Sequence, residues 1–292
     1  MSEVVYKGFR KEEMEKHFDP RAAVPDHQRW ADERESASRD NREKLKSWLN
    51  VPYGNSPRQV IDIFPSEKPG TPVLVYVHGG YWVRGGKDHN SHFVDLYGRA
   101  GITVALVEYD LCPDVSVTEI VRQVRSAISW VYKNISTYGG DPSRLHLCGV
   151  SAGGHLVTMA LAHEWEREGL PRDIIKGGVA ISGVYDLDAV LHIAVNKQIR
   201  LNPETARENS PFVHSPLPHA PLVVAVGGSE TEGWKQMSRD LYQRCNERGV
   251  HCEYVEVPGA NHFMLSSHLA DPESLLTRAI FKQMGMSAPA KA

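Results

Sequence analysis

The sequence of 292 residues has no long hydrophobic run and almost no excess of charge of either sign. No apolar stretch approaches the roughly 20 residues of a membrane-spanning helix, and residues 1–7 lack the apolar core of a signal peptide. We therefore expect no membrane insertion and a cytoplasmic location. The formal net charge is -3 and no basic block stands out, so we expect no nucleic-acid partner either.

Cysteine is also scarce. Four cysteines in so long a chain are too few for a disulfide scaffold, and none of them has a paired metal-ligand spacing. We expect reduced thiols, with Cys148 as a small core residue. No Gly-x-Gly-x-x-Gly and no Gly-x-x-x-x-Gly-Lys-Ser/Thr loop is present, and Asp and His show no recognisable ligand spacing. The sequence thus predicts neither a metal site nor a cofactor.

Strand-like and helix-like patterns alternate from Gln59 onward. Apolar runs predict strands at 59–64, 73–77, 102–107, 145–148, 177–182, 222–226 and 252–257, and helices at 117–135, 155–162, 234–248 and 272–284. Such alternation is typical of a single α/β domain, with a mostly parallel central sheet and helices on both faces. In such a fold the site lies at the carboxyl ends of the strands.

Two segments depart from this alternation. Residues 1–58 are charged, with candidate helices at 12–18 and 34–48, so we expect a helical segment that packs on or caps the domain. Residues 183–218 contain four prolines, and we expect a short helix plus loops that cover the site as a small lid.

The most informative stretch runs from Leu145 to His155 and predicts a strand, a sharp turn and the start of a helix. Its residues 149–153 have the Gly-x-Ser-x-Gly spacing of a nucleophile elbow, in which larger residues at the glycines would collide with the neighbouring strand and helix. An ordinary glycine-rich turn can have the same spacing, but the apolar strand and helix on either side favour the elbow. Ser151 is therefore our candidate nucleophile, and the amide of Ala152 a candidate oxyanion donor.

A second stretch, residues 78–82, follows the β-branched run at 73–77. Two glycines after a buried parallel strand leave bare amides, so Gly79 and Gly80 are further candidate oxyanion donors. We expect His78 to fix this loop by hydrogen bonding rather than to transfer protons. Tyr81 and Trp82 are candidate pocket residues, with core packing as the alternative for Trp82.

An unassisted serine hydroxyl is a poor nucleophile, so the site needs a base and an acid that orients it. In this type of fold both follow the serine, each in a loop after a late strand. His262 follows the strand at 252–257 and is our candidate base. The loop after the strand at 222–226 offers Glu230 and Glu232. We assign Glu230 as the acid; Glu232 is the alternative, or a cap of the next helix.

The motifs at 78–82, 149–155 and 261–263 together resemble the kynurenine formamidase (arylformamidase) branch of the α/β-hydrolases, which is related to hormone-sensitive-lipase-type esterases. The likeness extends over nearly the whole chain, and the Tyr-Trp continuation of His-Gly-Gly is the part most specific to this branch. The resemblance implies an α/β-hydrolase fold, with Ser151 as nucleophile and His262 as base. Glu230 stands where the animal enzymes carry Asp.

The resemblance implies hydrolysis of an aryl formamide, such as N-formylkynurenine in tryptophan breakdown, or of a small carboxylic ester. We expect a serine hydrolase that forms an acyl-enzyme, with Tyr81, Trp82, Tyr185 and Phe263 as candidate contacts of an aromatic small-molecule substrate. Core packing is the alternative for Tyr81, Trp82 and Tyr185. The alternatives are a general carboxylesterase with no role in tryptophan catabolism and a non-catalytic hydrolase-like binding protein. The oligomeric state stays open, a homodimer included.

Overall fold

The computed structural model describes residues 3–211 and 220–290. The strands in this part of the chain are β1 (Val4–Tyr6), β2 (Phe9–Arg10), β3 (Trp48–Pro52), β4 (Val60–Phe64), β5 (Thr71–Val77), β6 (Thr103–Val107), β7 (Gly140–Val150), β8 (Ile175–Ile181), β9 (Leu222–Gly227) and β10 (Cys252–Val257). The α-helices are α1 (Met14–Phe18), α2 (Pro20–Ala23), α3 (Gln28–Lys44), α4 (Val94–Arg99), α5 (Val117–Asn134), α6 (Ala152–Leu161), α7 (Asn196–Ile199), α8 (Pro203–Glu208), α9 (Glu232–Glu247), α10 (Met264–Ser267) and α11 (Leu275–Gln283). Short 3-10 helices occur at Lys11–Glu13, Lys87–His89, Ile135–Tyr138, Trp165–Glu168, Leu187–His192 and His268–Ala270.

The central sheet has the strand order β10-β9-β8-β7-β5-β6-β4-β3. Strands β5 to β10 pair in parallel, whereas β4 runs antiparallel to both β6 and β3. The predicted mostly parallel sheet is thus confirmed. All seven residues of β5 are buried, because strands covered on both faces carry continuous apolar runs rather than an alternating pattern.

Helices cover both faces of this sheet, as the alternation predicted. Val73, Val75 and Val77 of β5 point to a core shared with helices α5, α6 and α9, whereas Leu74 and Tyr76 point to one shared with α4 and α11. None of the helices in the described ranges is long and apolar enough to cross a membrane.

The N-terminal segment is only partly helical, so the prediction for residues 1–58 needs a correction. The candidate helix at 34–48 begins earlier, at Gln28, and ends at Lys44. Trp48 instead begins β3, which pairs with β4 at the sheet edge, and its ring packs against Tyr138. Strands β1 and β2 form a separate antiparallel pair. Pairing with distant strands overrides the local helical preference of these residues.

Helices α1 to α3 nevertheless lie against the domain near the carboxyl ends of the parallel strands. Asn41 of α3 donates hydrogen bonds to the carbonyls of Ser91 and His92. Phe18 of α1 accepts one from the Tyr81 hydroxyl, on the loop that follows β5. The N-terminal segment therefore covers the sheet edge at which the sequence predicts the site.

The predicted lid at 183–218 is described only up to residue 211. That part contains the 3-10 helix Leu187–His192 and the short helices α7 and α8. Residues 212–219, on which the rest of the lid prediction falls, lie outside the described residues.

Candidate active site

Ser151 lies at a sharp turn between β7 and α6. Its backbone has φ 58° and ψ -122°, and its N–H donates to Ile181 O at 2.8 Å. A Cβ at Gly149 would lie 2.4 Å from Gly153 O, and one at Gly153 would lie 2.0 Å from Val77 O. No larger residue fits at either position, so the spacing of the motif forms the strained turn expected of a nucleophile elbow.

The loop after β5 lies directly against this elbow. A Cβ at Gly79 would lie 2.6 Å from Val150 O and 3.0 Å from Ser151 Cβ, and Gly80 has a φ of 123° that favours glycine. The N–H groups of Gly79, Gly80 and Ala152 donate to no acceptor in the described part of the chain. Free amide donors beside a serine hydroxyl are what an oxyanion hole requires.

His78 lies behind this loop and is fully buried. Its Nδ1 lies 2.8 Å from Gly79 O and its Nε2 lies 3.1 Å from Glu108 Oε1, while its ring stacks on Tyr109 at 4.2 Å. Both ring nitrogens are therefore engaged in holding the loop. This placement suits the fixing role expected of His78 rather than proton transfer.

Glu108, which the sequence analysis missed, anchors the same loop. Its carboxylate accepts hydrogen bonds from the Lys87 N–H at 2.9 Å and from Arg58 Nη2 at 2.6 Å, besides its contact with His78. Burial alone would raise the pKa of Glu108, but His78, the Lys87 amide and Arg58 together lower it to about 2. The available signal was a carboxylate directly after the apolar strand that ends at Val107.

Glu230 and His262 meet at the carboxyl ends of β9 and β10. His262 Nδ1 lies 2.7 Å from Glu230 Oε2, and the other carboxylate oxygen accepts from the Gly227 N–H at 2.8 Å and from the Ser182 hydroxyl. Because a carboxylate only accepts, Nδ1 of His262 donates, and Nε2 is left with its lone pair. The Trp234 ring packs on the imidazole at 4.4 Å. This arrangement is that of a histidine oriented by a buried acid.

Glu232 has a different environment. It lies in the first turn of α9, and its carboxylate pairs with Arg239 rather than with His262. Ser182 and Trp234, which contact Glu230 and His262, were not predicted from the sequence. Serine and tryptophan at such positions form no pattern of their own, so only the folded chain brings them to the site.

Ser151, His262, Gly79 and Gly80 line one cavity of about 370 Å³. Residues between 19 and 35, from the N-terminal segment, form much of its wall, and Tyr81 and Phe263 also line it. No residue from 183 to 211, the described part of the predicted lid, lines this cavity. Among the described residues, the covering role expected of 183–218 therefore falls to the N-terminal segment.

Two of the predicted substrate contacts are core residues instead. Trp82 is fully buried and its ring packs against His155 at 4.9 Å. Tyr185 is also fully buried, and its hydroxyl donates to Ala180 O at 3.1 Å. Neither residue lines the cavity.

Comparisons with known proteins agree with this geometry. A family model described as BD-FAE matches residues 61–177. The chain is 30% identical to the kynurenine formamidase of Salmo salar over 298 residues, which cover 97% of this chain and 99% of that relative. The chain belongs to the kynurenine formamidase-like branch of the α/β-hydrolases. The predicted family is thus confirmed.

Solved structures of other hydrolases have the same fold as this kynurenine formamidase-like chain. A candidate thioesterase from Silicibacter sp. tm1040 is 29% identical with a TM-score of 0.79, over 90% of this chain and 97% of that one. An esterase from Pyrobaculum calidifontis is 20% identical with a TM-score of 0.70, over 96% of this chain and 98% of that one, and shows the fold alone. The chain is a hydrolase of the formamidase and esterase class.

Proposed function

We propose that this chain is a serine hydrolase that transfers a small acyl group from an aryl formamide or a short-chain ester to water. Ser151 is the nucleophile, His262 the base and Glu230 the acid that orients His262. The observation that carries the proposal is the buried 2.7 Å contact between Glu230 and His262. His262, held by this contact, lines the same cavity as Ser151.

In the first half of the reaction, Ser151 Oγ attacks the carbonyl carbon and its proton passes to His262 Nε2. The negative charge that develops on the carbonyl oxygen accepts hydrogen bonds from the amides of Gly79, Gly80 and Ala152. Such a donor is typically worth about 3 kcal/mol of barrier. The intermediate collapses when the bond to the leaving amine or alcohol breaks, and that group takes the proton from His262.

In the second half, water attacks the acyl group on Ser151 while His262 accepts a proton from that water. Collapse of this second intermediate breaks the bond to Ser151 Oγ, which regains a proton from His262. Formate leaves from a formamide, and a short carboxylic acid leaves from an ester. Glu230 stays ionised throughout and stabilises the imidazolium that forms twice per turnover.

The substrate class rests on two different relatives. The Salmo salar relative is named for a formamide substrate, which makes N-formylkynurenine or a similar aryl formamide the first candidate. The esterase of Mycobacterium tuberculosis named LipC, 27% identical over 73% of this chain, favours the second candidate, a carboxylesterase with no role in tryptophan catabolism. A cavity of about 370 Å³ is large enough for a small aromatic substrate of either kind.

The role of Ser151 is tested with Ser151→Ala. We expect the variant to lose hydrolysis of p-nitrophenyl acetate while its circular dichroism and thermal unfolding match the wild type. Retained turnover would refute the proposal. A comparison of kcat/KM for N-formylkynurenine and for short-chain aryl esters then decides the substrate class, and a strong preference for the esters would exclude the formamidase function.

A further inference from the structure

Three arginines line the cavity that holds Ser151 and His262. Arg21 belongs to α2, Arg34 to α3, and Arg84 to the loop after β5. In the described part of the chain, no acidic side chain lies within the 4.0 Å of an ion pair from any of their guanidinium groups. The cavity wall therefore carries positive charge that the protein itself does not neutralise by direct pairing.

Arg34 lies on the histidine side of the cavity. Its Nη1 donates to the carbonyl of Phe263, the residue after His262, at 3.1 Å. Its Nε is buried and has no acceptor among the residues that the structure describes. Burial lowers the pKa of the Arg34 guanidinium, and Tyr76 and Glu33 offset this only in part. A desolvated charge without a counter-ion costs free energy, and a bound anion would reduce that cost.

Arg84 lies on the oxyanion side. The main-chain N–H of Arg84 donates to Gly80 O at 3.1 Å, and the Arg84 Cγ would lie 3.2 Å from a Cβ at Gly80. Burial and repulsion from Arg21 lower the pKa of the Arg84 guanidinium, whereas Asp19 acts in the opposite direction. Arg34 and Arg84 therefore both contribute a guanidinium-bearing side chain to the wall of the cavity that Ser151 and His262 line.

The other charged and titratable groups of the wall have their own partners. The Asp19 carboxylate accepts a hydrogen bond from the main-chain N–H of Arg21 at 2.9 Å. The Glu35 carboxylate lies 3.8 Å from the His89 ring. His27 contacts Val24 O at 3.2 Å. None of them pairs with Arg34 or Arg84, so both of these guanidinium groups are available to an anion.

We propose that the positive charge of Arg34 and Arg84 favours a substrate with a carboxylate on its leaving-group part, and that this hydrolase therefore selects anionic substrates over neutral ones. The inference rests on the proposed function, because it places the scissile carbonyl between Ser151 and the Gly79 and Gly80 amides. Guanidinium groups suit this role because their fork of N–H donors matches the two oxygens of a carboxylate.

The test compares 4-acetoxybenzoate with its neutral methyl ester, two acetyl esters that differ in charge at the same position. We measure kcat/KM for both with the wild type, Arg34→Met and Arg84→Met. Each substitution keeps an unbranched side chain but removes the charge, and we expect it to lower the ratio of anionic to neutral kcat/KM roughly 10- to 100-fold. Arg39→Met is the matched control, an exposed α3 position outside the cavity, and should leave the ratio unchanged.

An unchanged ratio in both folded variants would overturn the inference and leave the proposed function standing. Failure of the wild type to hydrolyse either ester would instead refute the proposed function. A second measurement needs no variant: inhibition of p-nitrophenyl acetate hydrolysis by benzoate and by benzamide. We expect benzoate to compete at least 10-fold more tightly, and equal inhibition by the two would contradict the carboxylate site.

Discussion

Glu230 and Glu232 are two positions apart in the sequence but have opposite surroundings. Glu230 is buried and both its oxygens accept hydrogen bonds, whereas Glu232 is half exposed and pairs with an arginine on its own helix. A carboxylate orients a histidine through a direct hydrogen bond. The burial of each carboxylate and its hydrogen-bond partner, rather than its position in the chain, therefore decide which glutamate can orient His262.

This contrast gives a prediction with its own control. Glu230→Gln removes the charge that orients and stabilises His262, and kcat/KM for p-nitrophenyl acetate should fall by roughly 10³- to 10⁴-fold. Glu232→Gln should stay within about twofold of the wild type, because surface ion pairs contribute little. Equal losses in the two variants, measured under the same conditions, would show that Glu230 is not the acid.

Glu108, which contacts His78 in the loop after β5, should make the stability of the protein depend on pH. The pKa of Glu108 is lowered from 4.5 to about 2. The ionised carboxylate therefore adds to the free energy of unfolding above about pH 4.5, and this contribution is lost as the pH falls towards 2. We expect Glu108→Gln to be less stable than the wild type by about 3 kcal/mol at pH 7. Urea unfolding at pH 7 and pH 3 should show this difference narrowing in acid. A difference that stays constant with pH would contradict the role given to the Glu108 charge.

Residue-scale prediction from the sequence works where spacing constrains the backbone. The glycines around Ser151 and after His78 are required by close contacts between main-chain atoms, which leave a pattern in the sequence. Ser182 and Arg34 make contacts with Glu230 and Phe263 that form only after the chain has folded, so no local pattern marks them. The same reason explains the error at Trp82, since an aromatic residue suits a pocket and a core equally well.

At the scale of elements, the elbow connects β5, β7 and α6 through a contact that leaves no space for a side chain. Gly153→Ala would place a Cβ 2.0 Å from Val77 O, a main-chain atom that cannot move without shifting β5. We expect a loss of about 3 kcal/mol in the free energy of unfolding, the upper end of ordinary overpacking costs. Thermal or urea unfolding measures this loss.

Gly98→Ala is the matched control for that prediction. Gly98 lies in α4, and a Cβ there would have its nearest neighbour, Pro65 O, at 4.0 Å. Alanine favours helix over glycine, so this variant should be as stable as the wild type or slightly more stable. If Gly153→Ala behaved like Gly98→Ala, the tight contact between the elbow helix and β5 would be disproved.

Element prediction from the sequence succeeds for the parallel strands and fails for the antiparallel edge strand β3. The strand at 252–257 is found with the predicted bounds, and the helix at 117–135 ends one residue early. Strand β3 was missed because its residues are only partly buried and alternate imperfectly. Its position is fixed by pairing with β4, a contact that the local sequence does not reveal.

At the scale of the whole molecule, the N-terminal segment forms a wall of the active-site cavity. Ala31 of α3 lines that cavity, whereas Ala37 lies on the same helix outside it. We expect Ala31→Trp to raise KM for aryl esters with a bulky leaving group at least fivefold more than for p-nitrophenyl acetate. Ala37→Trp should change neither value, and equal effects of the two variants would contradict this placement of α3.

The sequence predicted that some segment covers the site but assigned the covering to 183–218. The charged residues at 1–58 predicted a helical segment that packs on or caps the domain, but charge runs give no information about which distant loop they face. In the described part of the chain, residues between 19 and 35 instead line the cavity to which Ser151 belongs. Long-range placement of this kind depends on contacts between residues more than 200 positions apart, such as Arg34 with Phe263.

The most direct test of the account is the site of covalent labelling by a fluorophosphonate probe, read by peptide mass spectrometry. The account predicts a single adduct on Ser151 in the wild type, much slower labelling in His262→Ala, and none in Ser151→Ala. An adduct on another residue, or a folded wild type that does not react at all, would contradict the central claim that Ser151 is a nucleophile activated by His262.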